Sequence, residues 1–118
     1  RDGAWVDQET IWQAPAEHYR PGGGVHFGCR IAFDAEGFLY FTLGDRGRQD
    51  DAQNLRLPVG KVHRLHDDGR VPADNPFAGR ADAYASVWTL GNRNPQGLDF
   101  DPRTGLLWST EHGPRGGD

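Results

Sequence analysis

The chain of 118 residues has one cysteine, no methionine and no long apolar run. A lone Cys29 excludes an internal disulfide and leaves the redox compartment open. No apolar stretch approaches the roughly 18–20 residues that a bilayer span requires, so no membrane span is expected. An excess of basic charge is missing as well: 13 Lys and Arg stand against 17 Asp and Glu, a formal net charge of -4. Arg46, Arg48, Arg56 and Lys61 are interleaved with Asp45, Asp50 and Asp51. They form no clustered cationic face for phosphate, which argues against a nucleic-acid partner. Sustained helical periodicity is lacking, and 17 Gly and 8 Pro punctuate the chain, so at most one helical turn is expected, around 50–55. Hydrophobic residues at 36% and charged residues at 25% still give the composition of a soluble globular protein.

What remains is a series of short strands. Runs at 10–13, 30–34, 38–43, 61–65, 86–90, 98–101 and 106–110 are bounded by turn residues and read as strands. Two stretches resemble each other: "RIAFDAEGFLYFTLGD" (30–45) and "GLDFDPRTGLLWSTEHG" (97–113). Ile31 matches Leu98, Phe33 matches Phe100, Asp34 matches Asp101 and Tyr40 matches Trp108, at an offset of 67 residues that becomes 68 after a longer turn. Two further strands lie between the copies, so the repeating unit is four antiparallel strands, the signature of a β-propeller blade.

The fold class is therefore all-β, and the chain, residues 1–118, reads as a partial β-propeller. About 30–90 forms one complete four-stranded blade, 9–14 the last strand of a preceding blade, and 97–118 the first two strands of the next. Propellers close with typically four to eight blades, on the order of 270–540 residues at this repeat, so under two blades are present. An opening at Arg1 rather than Met, without a signal peptide, and a stop in the Gly-rich "GPRGGD" also read as a piece of a longer protein. A small sandwich with a chance repeat is the alternative. Trp12, Phe33, Tyr40, Trp88, Phe100 and Trp108 are the expected packing residues.

Four polar stretches occupy positions where strands of a propeller begin or end: "HFGCR" (26–30), "GDRG" (44–47), "GNRNPQG" (91–97) and "EHGPRGGD" (111–118). Adjacent blades can bring such loops around one pocket. His26 is a candidate general base, because imidazole titrates near neutrality unaided. Asp45 is a candidate orienting carboxylate for it. Arg93 offers a permanent planar cation for an anionic or carbonyl oxygen, and Asn94 and Gln96 further hydrogen bonds. Gly113 and Pro114 offer carbonyls that suit a hard cation such as calcium. Plainer readings stand beside these: His26 as a turn residue, Asp45 in an Asx turn, and Arg93 bridging to Asp99 or Asp101 on the surface. His18, His63 and His66 read as structural or solvated. "HDDGRVPADNPF" (66–77) lacks the spaced ligands of an EF-hand loop and reads as a connection.

Together, "HFGCRIAFDAEGFLYFTLGDRG", "GKVHRLHDDGRVPADNPF", "LGNRNPQGLDFD" and "EHGPRGGD" resemble the soluble quinoprotein glucose/sorbosone dehydrogenases, and most of all their aldose sugar dehydrogenase branch. The resemblance runs in order over about residues 9–118. It implies a six-bladed propeller that binds pyrroloquinoline quinone (PQQ) and calcium and oxidises the anomeric hydroxyl of aldoses to the lactone. It also implies an external electron acceptor and a periplasmic or secreted location, and is compatible with a homodimer of the parent protein. By motif, His26 resembles the base that takes the sugar hydroxyl proton and Asp45 its carboxylate partner. Arg93 and Asn94 resemble the pair that contacts the quinone, and Gly113 and Pro114 the carbonyl ligands of calcium. The family's other cofactor contacts lie in blades absent from this chain. Cys29 stands where the family usually has glycine, which predicts a less permissive backbone beside His26. A non-catalytic propeller that binds a sugar or a protein, and a calcium-dependent propeller hydrolase, are the competing functions.

Overall fold

Period-two alternation of apolar residues builds six strands: β1 (Gly28–Phe33), β2 (Leu39–Leu43), β3 (Lys61–Leu65), β4 (Val87–Leu90), β5 (Pro95–Phe100) and β6 (Leu107–Glu111). The structure is a computed structural model that describes residues 2–18 and 24–115. The end of the expected last loop, 116–118, lies outside the described residues. β1 to β4 form one antiparallel sheet in the order β1-β2-β3-β4, and β5 pairs with β6 in a second. The chain is an all-β propeller fragment, a four-stranded meander followed by a hairpin. The helical turn expected near 50–55 is a 3-10 helix, η2 (Gln49–Gln53), and another, η1 (Ala16–His18), precedes the first sheet.

The strand expected at 10–13 is absent: these residues join no ladder. A strand needs a neighbour to take its backbone groups, and this segment instead lies across the first sheet as irregular chain. Trp12 packs there on Phe41 and His63, with ring centroids 4.8 and 5.1 Å away.

The two sheets meet through side chains. Tyr40, Val62 and Leu98 are buried together, flanked by Ala32, Phe38, Trp88, Phe100 and Leu107. The Tyr40 ring meets Trp88 and Phe100 edge-on at 5.7 and 5.0 Å. A side chain of this kind contributes about 1.5–3 kcal/mol when fully buried. The repeat detected in sequence is thus structural, yet its members differ in environment. Tyr40 is buried under the second sheet, whereas its counterpart Trp108 is 64% exposed. Of the expected packing residues, Phe33 and Trp108 stay exposed, because nothing among the described residues covers their faces. Asp34 and Asp101 correspond for a local reason: each carboxylate accepts backbone N–H groups of the turn that follows, Asp34 from Glu36 and Phe38, Asp101 from Arg103. No helix of the described residues is long and apolar enough to cross a membrane.

All five residues of β3 are buried, including Lys61, His63 and Arg64. Lys61 therefore leaves the set of interleaved surface charges in which its sequence neighbours placed it. Its Nζ donates to the carbonyls of Asp51 (3.2 Å), Ala52 (2.7 Å) and Val59 (2.7 Å), and burial pushes its pKa down to about 8. The Arg64 guanidinium lies 3.9 Å over the Phe38 ring and donates to Asp74. The 66–77 segment is the connection expected: Asn75 uses its amide to hold the carbonyls of Arg64 and Ala85. His63 Nε2 donates to the Pro58 carbonyl at 2.8 Å while Nδ1 faces Ser86 Oγ at 3.0 Å, and burial lowers its pKa to about 4.

Cys29 occupies a strained position. Register slips between Gly28 and Ile31, so that Cys29 and Arg30 together oppose Thr42 in a β-bulge. Cys29 has φ 77 there, in the left-handed region that favours glycine.

Two predictions follow from this packing. Replacing Cys29 with Gly in the full-length protein relieves about 1–2 kcal/mol of left-handed strain against about 0.5–1 kcal/mol of added chain entropy. A net gain of about 0.5–1 kcal/mol in denaturant unfolding is expected, with Cys29→Val destabilising. His63 gives a pH dependence. The unfolded chain binds a proton below about 6.5 that the folded chain refuses until about 4, so stability falls as pH drops through that window. The thermal midpoint should decline across it, with a shallower slope in His63→Gln.

Candidate active site

The expected polar stretches gather at one end of the two sheets, where β1 and β5 begin and β2 and β6 end. Two glycines permit the approach. A Cβ at Gly28, which has φ 68, would stand 2.8 Å from the Gly44 nitrogen, and one at Gly44 would overlap the carbonyl of His26. Gly44 also lies against the Arg93 carbonyl. Only a residue without a side chain fits between these two loops.

This contact sets His26 against Asp45. His26 Nδ1 lies 2.6 Å from Asp45 Oδ1, with the Asp45 side chain 2% exposed and that of His26 16%. The same Oδ1 accepts from the Gly47 backbone at 2.7 Å, so the Asx-turn reading of Asp45 and its pairing with His26 both hold. An ionised carboxylate only accepts, which makes Nδ1 the donor and leaves Nε2 as the basic nitrogen of the ring. The buried carboxylate keeps the imidazole in one orientation. His26 itself has φ 53, a further cost that the surrounding contacts must hold in place.

The 91–97 loop closes the other side. Asp45 N donates to the Arg93 carbonyl at 2.8 Å, and Gly28 N to Asn94 Oδ1 at 3.1 Å. Arg93 Nη1 donates to the His112 carbonyl, beside Gly113, rather than to Asp99 or Asp101. Half-buried Arg93 thus meets the His26–Asp45 pair through its carbonyl, while its guanidinium is held at His112. Asn94 is buried, and with Oδ1 taken by Gly28 its Nδ2 is the group it has to offer a ligand. Gln96 is exposed, and its backbone carbonyl accepts from Arg30 Nε. Gly113 is half-buried and Pro114 exposed.

The donor set suits a planar quinone with anionic oxygens: a fixed cation and an amide N–H. The case for calcium is narrower. A hard cation takes six to eight oxygens, and no group of three or more His, Cys, Asp or Glu is arranged to hold a metal among the described residues.

Glu111 and Thr42 were not singled out in the sequence. Thr42 Oγ1 donates to the Pro95 carbonyl at 2.8 Å and accepts from Arg30 N at 2.9 Å, tying the bulge to the loop. The Glu111 carboxylate takes three donors from the 91–97 loop. The one signal for Glu111 is its place in "EHGP", directly after a strand.

The glucose/sorbosone dehydrogenase profile matches residues 1–118. The aldose sugar dehydrogenase of Escherichia coli K12 is 47% identical over 95 residues, covering 80% of this chain and 26% of that protein. The apo-form crystal structure of the soluble aldose sugar dehydrogenase from Escherichia coli superposes with a TM-score of 0.77 at 46% identity, covering 80% of this chain and 27% of that one. The PQQ-bound aldose sugar dehydrogenase of Streptomyces coelicolor superposes with a TM-score of 0.66 at 33% identity, covering 76% and 25%. The chain thus spans about a quarter of the length of these relatives. With a profile match over its whole length, and with the strands and loops that carry the motifs in place, the chain belongs to the glucose/sorbosone dehydrogenase family.

Proposed function

We propose that the protein of which this chain is part is a PQQ-dependent aldose dehydrogenase that oxidises the anomeric C1 hydroxyl to the lactone. The observation that carries the reading is the 2.6 Å His26–Asp45 pair, with Arg93 held beside it through its own carbonyl. In this mechanism His26 Nε2 takes the hydroxyl proton of the sugar, and Asp45 stabilises the imidazolium that results. PQQ, when bound, supplies an o-quinone that takes up the hydrogen and two electrons leaving C1. Arg93 places positive charge where negative charge develops on the acceptor's oxygen. Asn94 offers an amide donor to the same group, and the Gly113 and Pro114 carbonyls contribute to a calcium site. An external electron acceptor completes the turnover, in a periplasmic or secreted setting.

The test is dye-linked oxidation of glucose by the full-length protein after addition of PQQ and calcium. Sugar-dependent dye reduction that needs the quinone is the expected result. Its absence with PQQ bound would leave a binding propeller, and metal-dependent hydrolysis would indicate the hydrolase. Two variants then examine the pair. His26→Ala should lower kcat by ~10²–10⁴ with quinone binding kept; loss of quinone binding with unchanged turnover per bound quinone would make His26 structural. Gly44→Ala inserts a methyl against the His26 carbonyl. It should reduce kcat by about 10²-fold through misplacement of the base, measured at saturating PQQ.

A further inference from the structure

Every backbone N–H from Gly91 to Asn94 is occupied within the protein. Gly91 N donates to the Ala52 carbonyl at 2.9 Å and Asn92 N to the Gly60 carbonyl at 3.1 Å. Arg93 N and Asn94 N both donate to Glu111 Oε2, at 2.5 and 3.3 Å, and Asn92 Nδ2 reaches Glu111 Oε1 at 3.2 Å. The loop's first half is therefore anchored on the first sheet and η2, through carbonyls at positions 52 and 60. Its second half hangs on one carboxylate at the end of β6. No backbone amide in this stretch is available to a ligand, so the loop acts through its side chains and through the Arg93 carbonyl, which receives Asp45 N.

We infer that Glu111 is a positioning residue: by clamping the amides of Arg93 and Asn94 it sets the Arg93 guanidinium and, through the Arg93 carbonyl, the Asp45 backbone that aims His26. The inference rests on the proposed reaction for its kinetic consequence, but not for its structural one. Hydrogen bonds to an ionised acceptor are roughly twice as strong as neutral ones, and one carboxylate oxygen shared by two successive amides fixes the peptide plane between them. Loss of the carboxylate releases Arg93 and Asn94 while Gly91 and Asn92 keep their carbonyl partners. Glu111 touches neither reacting atom in this scheme, and it acts on both halves of the site through one segment of backbone.

The experiment uses the full-length protein, wild type, Glu111→Ala and Glu111→Gln, read by hydrogen–deuterium exchange at single amides and by steady-state kinetics with PQQ and calcium. In Glu111→Ala, exchange at Arg93 and Asn94 should accelerate by about tenfold or more, with Gly91 and Asn92 unchanged. kcat should fall by about 10–100-fold, with a smaller change in KM for the sugar. Glu111→Gln keeps an oxygen for both amides and should recover most of the loss in both readouts. Equal acceleration at all four amides, with unchanged kcat per folded molecule, would overturn the inference, as would unaltered exchange at Arg93 and Asn94. A wild-type protein inactive on sugars with PQQ bound would overturn the proposed function instead, while the exchange pattern would still decide whether Glu111 clamps the loop.

Discussion

The two sheets share no ladder, so their backbones meet through loops, and the central bond at the candidate site runs from Asp45 N to the Arg93 carbonyl. It is supported on either side by Gly28 N to Asn94 Oδ1 and by Thr42 Oγ1 to the Pro95 carbonyl. These three bonds cross from the end of one hairpin to the start of the next. They fix the spacing between the β1–β2 pair and the loop that enters β5. The apolar contacts of Tyr40, Val62 and Leu98 hold the sheets together, but such contacts are not directional. The polar joint sets where the loops stand relative to one another.

The geometry of the candidate site follows from that joint. The close approach it demands explains glycine at positions 28 and 44, and the sharp entry into β1 explains left-handed backbone at His26, Gly28 and Cys29. Strain of this kind persists only where neighbouring contacts over-determine it, and the hydrogen bonds around Asp45 supply those contacts. Buried polar groups serve the same end further back. Lys61 donates to two carbonyls within η2 and to that of Val59, and the Ala52 carbonyl among them also receives Gly91 N. A cation in the core of the first sheet thus stands behind the loop that carries Arg93. Isolated burial of an ammonium is costly; here the carbonyl cage offsets that cost and anchors the loop.

The strands, their antiparallel order and the 67-residue repeat were legible in the sequence because alternation and turn residues are local signals. The gathering of the polar loops at one end of the sheets was legible too, since it follows from which loops precede and follow matched strands. The 10–13 segment misled for the complementary reason. Its composition suits a strand, but a strand exists only with a partner, and no sequence window contains the partner. Trp108 shows the same limit in packing: its pattern equals that of Tyr40, and its environment does not.

By itself, then, the sequence determined the residue types on offer: an imidazole, a carboxylate, a guanidinium flanked by amides, and glycines where loops must close. Tertiary structure decided what each of them touches. Asn94 becomes a buried tie to Gly28, Lys61 passes from surface charge to core, and Glu111, marked in the sequence only by its place in "EHGP", becomes the acceptor for Arg93 and Asn94. The physical reason is the range of the forces involved. Turn and strand preferences act over a few residues, whereas a hydrogen bond between residues 45 and 93, or 93 and 111, depends on how two sheets pack, which only the folded chain specifies.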